Sequence, residues 1–377
     1  MAHLNELIPA IRIALDKVNR GMPGMMSSVY RDSSAEGVAI GQEIIFPVSA
    51  EKKLRDVVPG QNIPAYEGDD VGNRKLKITK QKACDIKWTG NELLEMANLQ
   101  PNILADEFSQ CFETLMSAIE QDMCLTAVAG GLEGGNIIGE AGTEPFTQDL
   151  KLFTQTYKVM EDNKVPLNDL KYVLNTTASM NLRNLPQLQK LNESAGSLLR
   201  ESEIGRLFKY DVAETNEIKK HTKGAGTGYF VNAEAGVEAG TKLIPIDSGH
   251  GTIAKGDIVS FGNGNKYVVA KDCTTVGTLE LVTPIKERLE NDTAVTVEND
   301  YTPCVAFQKN ALWLATRSIP NPKGGDAAKD IYYATDPVSG LTFMISEYGE
   351  YHQMRVEVAI AWGTGIVKPQ NIVTLLG

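Results

Sequence analysis

The residues that could support catalysis or metal binding are few and far apart in the sequence. The chain has 4 histidines, none in an HExxH motif or beside a cysteine at ligand spacing: His3, His221, His250 and His352. Zinc sites and histidine-based acid–base catalysis both need such neighbours. We therefore expect surface or loop histidines, and the sequence predicts no metal and no cofactor.

Two glycine-rich segments invite comparison with phosphate-binding loops. GAGTGYF (224–230) lacks the full GxGxxG motif, follows no apolar strand and opens no helix. GGLEGGNIIGEAG (130–142) lacks the Lys-Ser/Thr pair that a P-loop requires, and the sequence contains no GxSxG. Both segments are better explained as loops, and we predict that the protein is not an enzyme.

The cysteines favour a reducing compartment. The 5 of them are dispersed, with no CxxC pair: Cys84, Cys111, Cys124, Cys273 and Cys304. An odd, scattered set of this kind is typical of buried free thiols. No apolar run reaches the ~18 residues of a membrane span, and the N-terminal apolar residues have helical spacing, unlike a signal peptide. We expect assembly in a cytoplasm and no membrane contact.

Length and charge narrow the class of protein further. A chain of 377 residues exceeds what one hydrophobic core usually serves, so two or three subdomains are expected. The formal net charge of -11 argues against a chain that binds nucleic acid over its surface.

The first half of the chain alternates helical and extended patterns. Apolar spacing predicts an amphipathic helix over 3–20, a strand over 38–48 and a long helix over 102–128. Between them, a polar Gly/Pro-rich stretch (50–73) is followed by a return strand in which Cys84, Ile86 and Trp88 alternate with polar residues. Together these segments predict an extended β-arm followed by a spine helix of roughly 40 Å.

The second half contains a β-rich region. Helices are predicted over 148–162 and through Met180–Leu185, on either side of a strand at 172–175. From about 225 to 300, short apolar runs are separated by glycine-rich turns, which is typical of a small antiparallel barrel or sandwich. Mixed elements resume at 301–377, so the simplest architecture is an α+β body with a β-domain inserted.

Charge is distributed unevenly between the arm and the spine helix. The return strand carries six basic residues against a lone Asp85: Arg74, Lys75, Lys77, Lys80, Lys82 and Lys87. The spine helix carries no Lys or Arg but five acidic residues: Asp106, Glu107, Glu113, Glu120 and Asp122. Two solvated faces would explain this pattern, and so would a head-to-tail contact between the arm of one copy and the helix of the next. We adopt the contact between copies as a hypothesis.

Four segments carry a resemblance to a known family. They are EIGRLFKYDVAETNEIKKHTKG (203–224), KGDIVSFGNGNKYVVA (255–270), CVAFQKNALWLATRSIP (304–320) and the closing stretch from GLTFMISEYGEYHQMRVEVAIAW to NIVTLLG (340–377). In these segments and in the order of its elements, the chain resembles the major capsid proteins of tailed phages, and in particular P22-like coat proteins. Those proteins have the HK97-type capsid fold with an inserted β-barrel domain.

The resemblance implies a division of the chain into six segments. These are an N-terminal arm (1–36), an extended β-arm or E-loop (37–88), a P-domain with the spine helix (89–150), the first part of an A-domain (151–224), the inserted β-barrel domain (225–300) and the A/P-domain return with the C-terminal strands (301–377). The chain is shorter than the P22 pattern, most visibly in the inserted domain.

The resemblance also implies partners. The subunit would form the hexamers and pentamers of an icosahedral virion shell, assembled in the host cytoplasm with a scaffolding protein and a portal protein. The shell would enclose double-stranded DNA without sequence-specific binding. Two alternatives stay open: an encapsulin-like nanocompartment shell with the same fold, and a hydrolase with a β-rich binding module, for which no carboxylate pair is marked out.

Overall fold

The computed structural model describes residues 4–18, 24–37, 40–48, 72–92, 101–186, 188, 205–262, 264–274, 277–320 and 327–377. These residues are of mixed α+β type and divide into two units, each built from separate stretches of chain. The first unit comprises Met1–Ile13, Arg31–Cys111 and Trp313–Val367, and the second comprises Ala14–Tyr30, Phe112–Leu312 and Lys368–Gly377. The six segments expected from the sequence stay a prediction.

The main sheet of the first unit has six strands among the described residues. Its strands are β1 (Tyr30–Gly37), β4 (Lys80–Thr89), β16 (Leu312–Ser318), β17 (Asp330–Thr335), β18 (Thr342–Glu350) and β19 (Gln353–Ile366). Their order is β1-β16-β19-β18-β17, and β4 also pairs with β19. The first unit also contains a two-stranded antiparallel ribbon, in which β2 (Glu43–Val48) pairs with β3 (Gly72–Lys77). Leu76 and Ile78, at the end of the ribbon, are buried in a cluster with Ala315 and Ala361.

Helices α1 (Leu4–Lys17), α2 (Gly24–Ser28) and α3 (Pro101–Gly134) complete the N-terminal third of the chain. The 34-residue helix α3 is longer than the predicted 102–128, because Gly130-Gly131 does not end it. A Cβ at Gly131 would overlap Thr374 Oγ1 and lie 3.0 Å from the Thr374 backbone nitrogen, so glycine here permits close packing. The helix ends where Gly135 takes a φ of +68°, the left-handed conformation common at helix C-termini.

The second unit contains two sheets. The first follows the order β5-β20-β15-β6-β8-β7, and helices α4 (Lys151–Asp162) and α5 (Thr176–Arg183) belong to the same unit. Its strands are β5 (Ile137–Ile138), β6 (Leu170–Leu174), β7 (Arg206–Leu207), β8 (Tyr210–Glu214), β15 (Cys304–Gln308) and β20 (Ile372–Leu375). Phe153 of α4 packs at the centre of an aromatic group with Tyr172 and Tyr210. Short 3-10 helices cover Lys309–Ala311 and Pro369–Asn371.

The second sheet of this unit lies wholly inside the stretch 225–300. Its order is β12-β11-β14-β9-β10-β13, and its strands are β9 (Tyr229–Val231), β10 (Leu243–Asp247), β11 (Ile258–Ser260), β12 (Lys266–Val268), β13 (Gly277–Glu280) and β14 (Ala294–Val297). Backbone hydrogen bonds also join its two ends, from Ala270 to Glu280 (2.8 Å) and from Val282 to Val268 (2.9 Å). The sheet therefore curls around a core of its own, to which Tyr229, Ile244 and Leu279 contribute.

Two expectations about the arm region need correction. The return strand is not a single strand of an arm. Its first part is β3 of the ribbon, whereas Lys80–Thr89 forms β4, which pairs residue by residue with Trp362–Gln353. The sequence prediction had no strand before residue 38, yet polar Tyr30–Gly37 forms β1, supported by a 2.6 Å ion pair between Asp32 and Arg317. Neither pairing is visible locally, because each partner lies more than about 260 residues away. Of the predicted Gly/Pro-rich stretch 50–73, residues 50–71 lie outside the described residues.

The expectation of five free thiols is also wrong for one pair. Cys84 on β4 and Cys111 on α3 are joined as a disulfide, because the strand packs against the helix and brings together residues separated by 27 positions. The remaining three cysteines (Cys124, Cys273 and Cys304) are free and buried, as predicted.

Candidate assembly surface

The histidines and free cysteines do not form a reactive centre in the part of the chain that the structure describes. His221 bonds Asp257 through Nε2 at 2.8 Å, and the Asp257 carboxylate also accepts the backbone N–H groups of Gly224 and Ala254. This buried carboxylate ties a loop to the start of β11, which is a structural role. No group of three or more potential metal ligands was found among the described residues.

A largely apolar cleft of about 590 Å³ lies in the second unit. The C-terminal half of α3 lines it with Cys124, Leu125 and Val128, and His221 and Tyr301 also line it. Burial raises the pKa of the Cys124 thiol, so this sulfur stays protonated and is a poor nucleophile at neutral pH. None of the helices within the described ranges has the length and apolarity to cross a membrane.

The basic residues of the ribbon are paired on their own strand pair. Lys75 and Lys77 of β3 approach Glu43 of β2 at 2.7 and 3.2 Å, and these lysines lower the pKa of the Glu43 carboxyl. All three side chains share one face, because the register places Glu43 opposite Lys77 and Ile45 opposite Lys75. Ile45 on the same face is 57% exposed. The side chain of Arg74 is outside the described set.

Strand β4 carries three basic residues, Lys80, Lys82 and Lys87, whose side chains are exposed. Burial alternates along the strand, so Ile86 and Trp88 point inward while Lys87 is exposed. Lys87 approaches Glu350 of the neighbouring hairpin at 3.8 Å, and the Lys82 ammonium lies 5.8 Å from the centre of the Trp362 ring. Lys80 is exposed at the start of the strand.

The acidic residues of α3 fall into three environments. Asp106 and Glu113 are exposed and seven residues apart, so they lie on the same side of the helix, and Asp122 is half-buried. Glu107 is half-buried and accepts a hydrogen bond from Trp88 Nε1 at 2.8 Å. Glu120 is only 2% exposed, so it is unavailable to another copy, which corrects its inclusion in the predicted contact.

Glu120 instead holds an N-terminal segment within the second unit. Its two carboxylate oxygens accept the backbone N–H groups of Met25 (2.6 Å) and Met26 (2.8 Å) at the start of α2. Burial raises the pKa of Glu120 to about 7, with a smaller contribution from Glu217, while the two N–H groups and Thr215 oppose the rise. Sequence reasoning missed this role, although Met116 and Cys124, one turn away on each side, are apolar and buried.

The strand and the helix that carry the predicted basic and acidic residues are in contact, but on the strand side through other side chains, among them Trp88. The inward face of β4 packs on α3 through Trp88 and Phe108, whose ring centroids are 6.1 Å apart. The strand alternation directs Lys87 away from that contact, and Lys75 and Lys77 are on the ribbon. Reasoning from the sequence missed Glu43 and Glu350 as local partners, although a hairpin register for 43–48 and 72–77 would have placed Glu43 opposite Lys77.

Comparison with known proteins gives only distant similarities. No protein family profile matches the sequence, and no curated protein matches it. Among solved structures, the chain is similar to a chain described as Mycobacterium phage Che8, at 13% identity and a TM-score of 0.46, covering 96% of this chain and 90% of that one. It is also similar to a chain in the capsid structure of Cyanophage P-SCSP1u, at 12% identity and a TM-score of 0.49, covering 92% and 86%.

A third similarity is to the crystal structure of a virus-like particle from Pyrococcus furiosus, at 10% identity and a TM-score of 0.44, covering 98% of both chains. Similarities at this level do not place the chain in a family.

Proposed function

We propose that this protein is a shell-forming subunit, the major capsid protein of a tailed double-stranded DNA phage. The observation that carries the proposal is the order of elements along the chain. An N-terminal helix, a β-ribbon, the 34-residue helix α3, a mixed sheet and the long strand β19 follow each other as the HK97-type plan requires.

The finer assignment is to a P22-like protein with an inserted β-barrel domain. It is supported by the six antiparallel strands between Tyr229 and Val297, whose two ends are hydrogen-bonded to each other. It is also supported by the separate core inside those strands, because an inserted domain must bury its own apolar residues. The partners proposed are further copies of the chain in hexamers and pentamers, a scaffolding protein and a portal protein.

The charge of the chain suits a container for DNA. A net charge of -11 disfavours adhesion to the enclosed phosphate backbone. The contact proposed between copies joins the exposed basic residues of the ribbon and β4 to the exposed acidic residues Asp106 and Glu113 of α3. Each exposed pair stabilises by only about 0 to 1 kcal/mol, so the set would act collectively to orient subunits.

Overexpression followed by size-exclusion chromatography and negative-stain electron microscopy tests the proposal. The full chain, expressed with and without a co-expressed scaffolding protein, is expected to form capsomers or closed particles. A stable monomer or small oligomer at high concentration under both conditions would contradict a shell role. Particles isolated from the natural source should protect DNA from nuclease; particles filled with protein and free of DNA would favour the nanocompartment.

A further inference from the structure

Cys84 and Cys111 are positioned to react with each other. Cys84 lies on strand β4, Cys111 lies on helix α3, and their Cα atoms are 5.7 Å apart, within the range that disulfides occupy. The pair belongs to a chain whose other features indicate synthesis in a reducing cytoplasm, where structural disulfides are rare. The two observations are compatible if the pair changes its oxidation state during the life of the protein.

Contacts that do not involve sulfur hold the two cysteines in place. Along β4, Cys84 pairs with Val358 of β19, and Trp88 four residues later packs edge-to-face on Phe108 of α3. The hydrogen bond from Trp88 to Glu107 adds a polar contact between the same strand and helix. The strand therefore stays on the helix in either oxidation state, and bond formation needs little backbone movement.

The two sulfurs differ in access. Cys84 is partly exposed, whereas Cys111 is buried at 5% exposure. A dissolved oxidant can therefore reach Cys84 first, and Cys111 can react with the Cys84 sulfur once it is part of a mixed disulfide.

We propose that Cys84 and Cys111 form an oxidation site that is a dithiol in the cytoplasm and becomes a disulfide through exchange with a small-molecule disulfide outside it. The Cys84 thiolate attacks the oxidant, forms a mixed disulfide and releases one thiolate. The Cys111 thiolate then attacks the Cys84 sulfur and releases the second thiolate. The two cysteines lose two protons and two electrons, and the oxidant is reduced to two thiols.

The other three cysteines provide an internal comparison. Cys124, Cys273 and Cys304 are all buried, and burial raises the pKa of Cys304 to about 12. A thiol of this kind reacts slowly because the thiolate is the reactive form. The oxidant should therefore distinguish Cys84 from the rest of the set.

The role of the bond rests on the proposed function, because a shell leaves the cell in which it was assembled. Oxidation would fix the sheet of the first unit to the spine helix after the subunit is in its final conformation. The chain between the two cysteines is then closed into a loop, which restricts the unfolded state.

The experiment treats the purified full-length chain, kept reduced and then freed of reductant under nitrogen, with oxidised glutathione. Remaining thiols are labelled with N-ethylmaleimide after denaturation and located by peptide mass spectrometry. Two of the 5 cysteines are expected to lose their label, with the peptides of Cys84 and Cys111 joined. Full labelling of both after treatment, or preferential loss of label at Cys124, Cys273 or Cys304, would overturn the proposal.

Single variants separate the two steps. Cys111→Ser should retain glutathione on Cys84, because the resolving thiol is missing, whereas Cys84→Ser should leave Cys111 unmodified. Cys273→Ser is the matched control and should behave as the wild type.

Oxidation should raise the melting temperature of the wild type by about 4 °C, reversibly with dithiothreitol, and leave that of Cys84→Ser unchanged. An equal rise in Cys84→Ser would contradict a stabilising bond.

A separate experiment tests the stage at which the disulfide forms. Thiols are alkylated during cell lysis in one sample and in released particles in another. The dithiol is expected in the first sample and the disulfide in the second. Failure to isolate particles would contradict the proposed function while leaving the exchange chemistry measured on purified protein intact. Particles with fully labelled cysteines would contradict the oxidation site alone.

Discussion

Trp88 on β4 donates its indole N–H to the carboxylate of Glu107 on α3 at a distance of 2.8 Å. Glu107 was predicted to contact another copy of the chain, but this hydrogen bond engages it within its own subunit. The bond also defines which face of β4 is committed to the helix, since Ile86 and Trp88 are buried while Lys87 is exposed. The charges available to a second copy are therefore on the opposite face of the strand and on the ribbon.

Reversing the charge of Lys75, Lys77 and Lys80 to Glu should abolish assembly and leave the subunit folded. Near Glu43, the first two changes replace attraction with repulsion, but exposed ion pairs contribute little to stability, so the fold should survive. Circular dichroism checks the fold, and chromatography with electron microscopy checks assembly. Adding Asp106→Lys and Glu113→Lys should restore particles; normal assembly by the triple variant would contradict the contact.

Stability should depend on the protonation of Glu120. Its pKa is raised from 4.5 to about 7 in the folded protein, so the folded state binds the proton more tightly than the unfolded state. The resulting stabilisation is fully present below pH 4.5 and is lost as pH rises to 7 and above, an effect of about 3 kcal/mol. Urea unfolding gives the free energy of unfolding of each protein. The value for the wild type minus the value for Glu120→Gln should fall as pH rises from 4.5 to 7. A difference independent of pH would contradict the assignment.

Gly131→Ala should destabilise the protein although alanine favours helices. The added Cβ overlaps Thr374 Oγ1, and strand β20 cannot retreat without breaking its pairing with β15. We expect a loss of about 2 kcal/mol, larger than the gain of about 1 kcal/mol from helix propensity. Urea unfolding measures it, and Thr374→Ala should recover part of the loss in the double variant. Equal or greater stability of Gly131→Ala would contradict close packing.

Lys209→Gly should stabilise the β7–β8 hairpin. Phe208 and Lys209 form its two-residue turn with φ values of +47° and +66°, a conformation that favours Asn and Gly. Glycine adopts this conformation without strain. Replacing the exposed Lys209 is therefore expected to raise the free energy of unfolding by about 1 kcal/mol. Lys158→Gly, at an exposed lysine within α4, is the matched control and should lower it by about 1 kcal/mol. The same sign for both variants would rule out turn strain as the cause.

Local patterns in the sequence were sufficient for elements whose signals are local. The alternation of Cys84, Ile86 and Trp88 predicted a strand with one buried face, and the apolar stripe predicted α3 from residue 102 onward. The β-rich stretch was also located, and six strands lie inside it.

Features that depend on distant partners could not be predicted in the same way. The assignment of β4 to an arm failed because its partner, β19, is remote, and the end of α3 was misplaced because Gly131 faces Thr374. The pairing of Cys84 with Cys111 depends on the same strand–helix packing. Glu120 was assigned to the surface by charge alone, although its neighbours one turn away, Met116 and Cys124, indicated a buried side.

The pairing of β4 with β19 also sets the order in which the chain can fold during translation. Lys80 pairs with Trp362, so about 280 residues must be synthesised after the first strand before its partner exists, and a contact of that separation folds slowly. At ribosomal rates this interval is on the order of tens of seconds. Through that time the edge of β4 that β19 will cover is open to other strands. The first unit therefore completes its sheet only after Trp362 has been synthesised, and a chaperone that shields strand edges until then would raise the yield of native subunits.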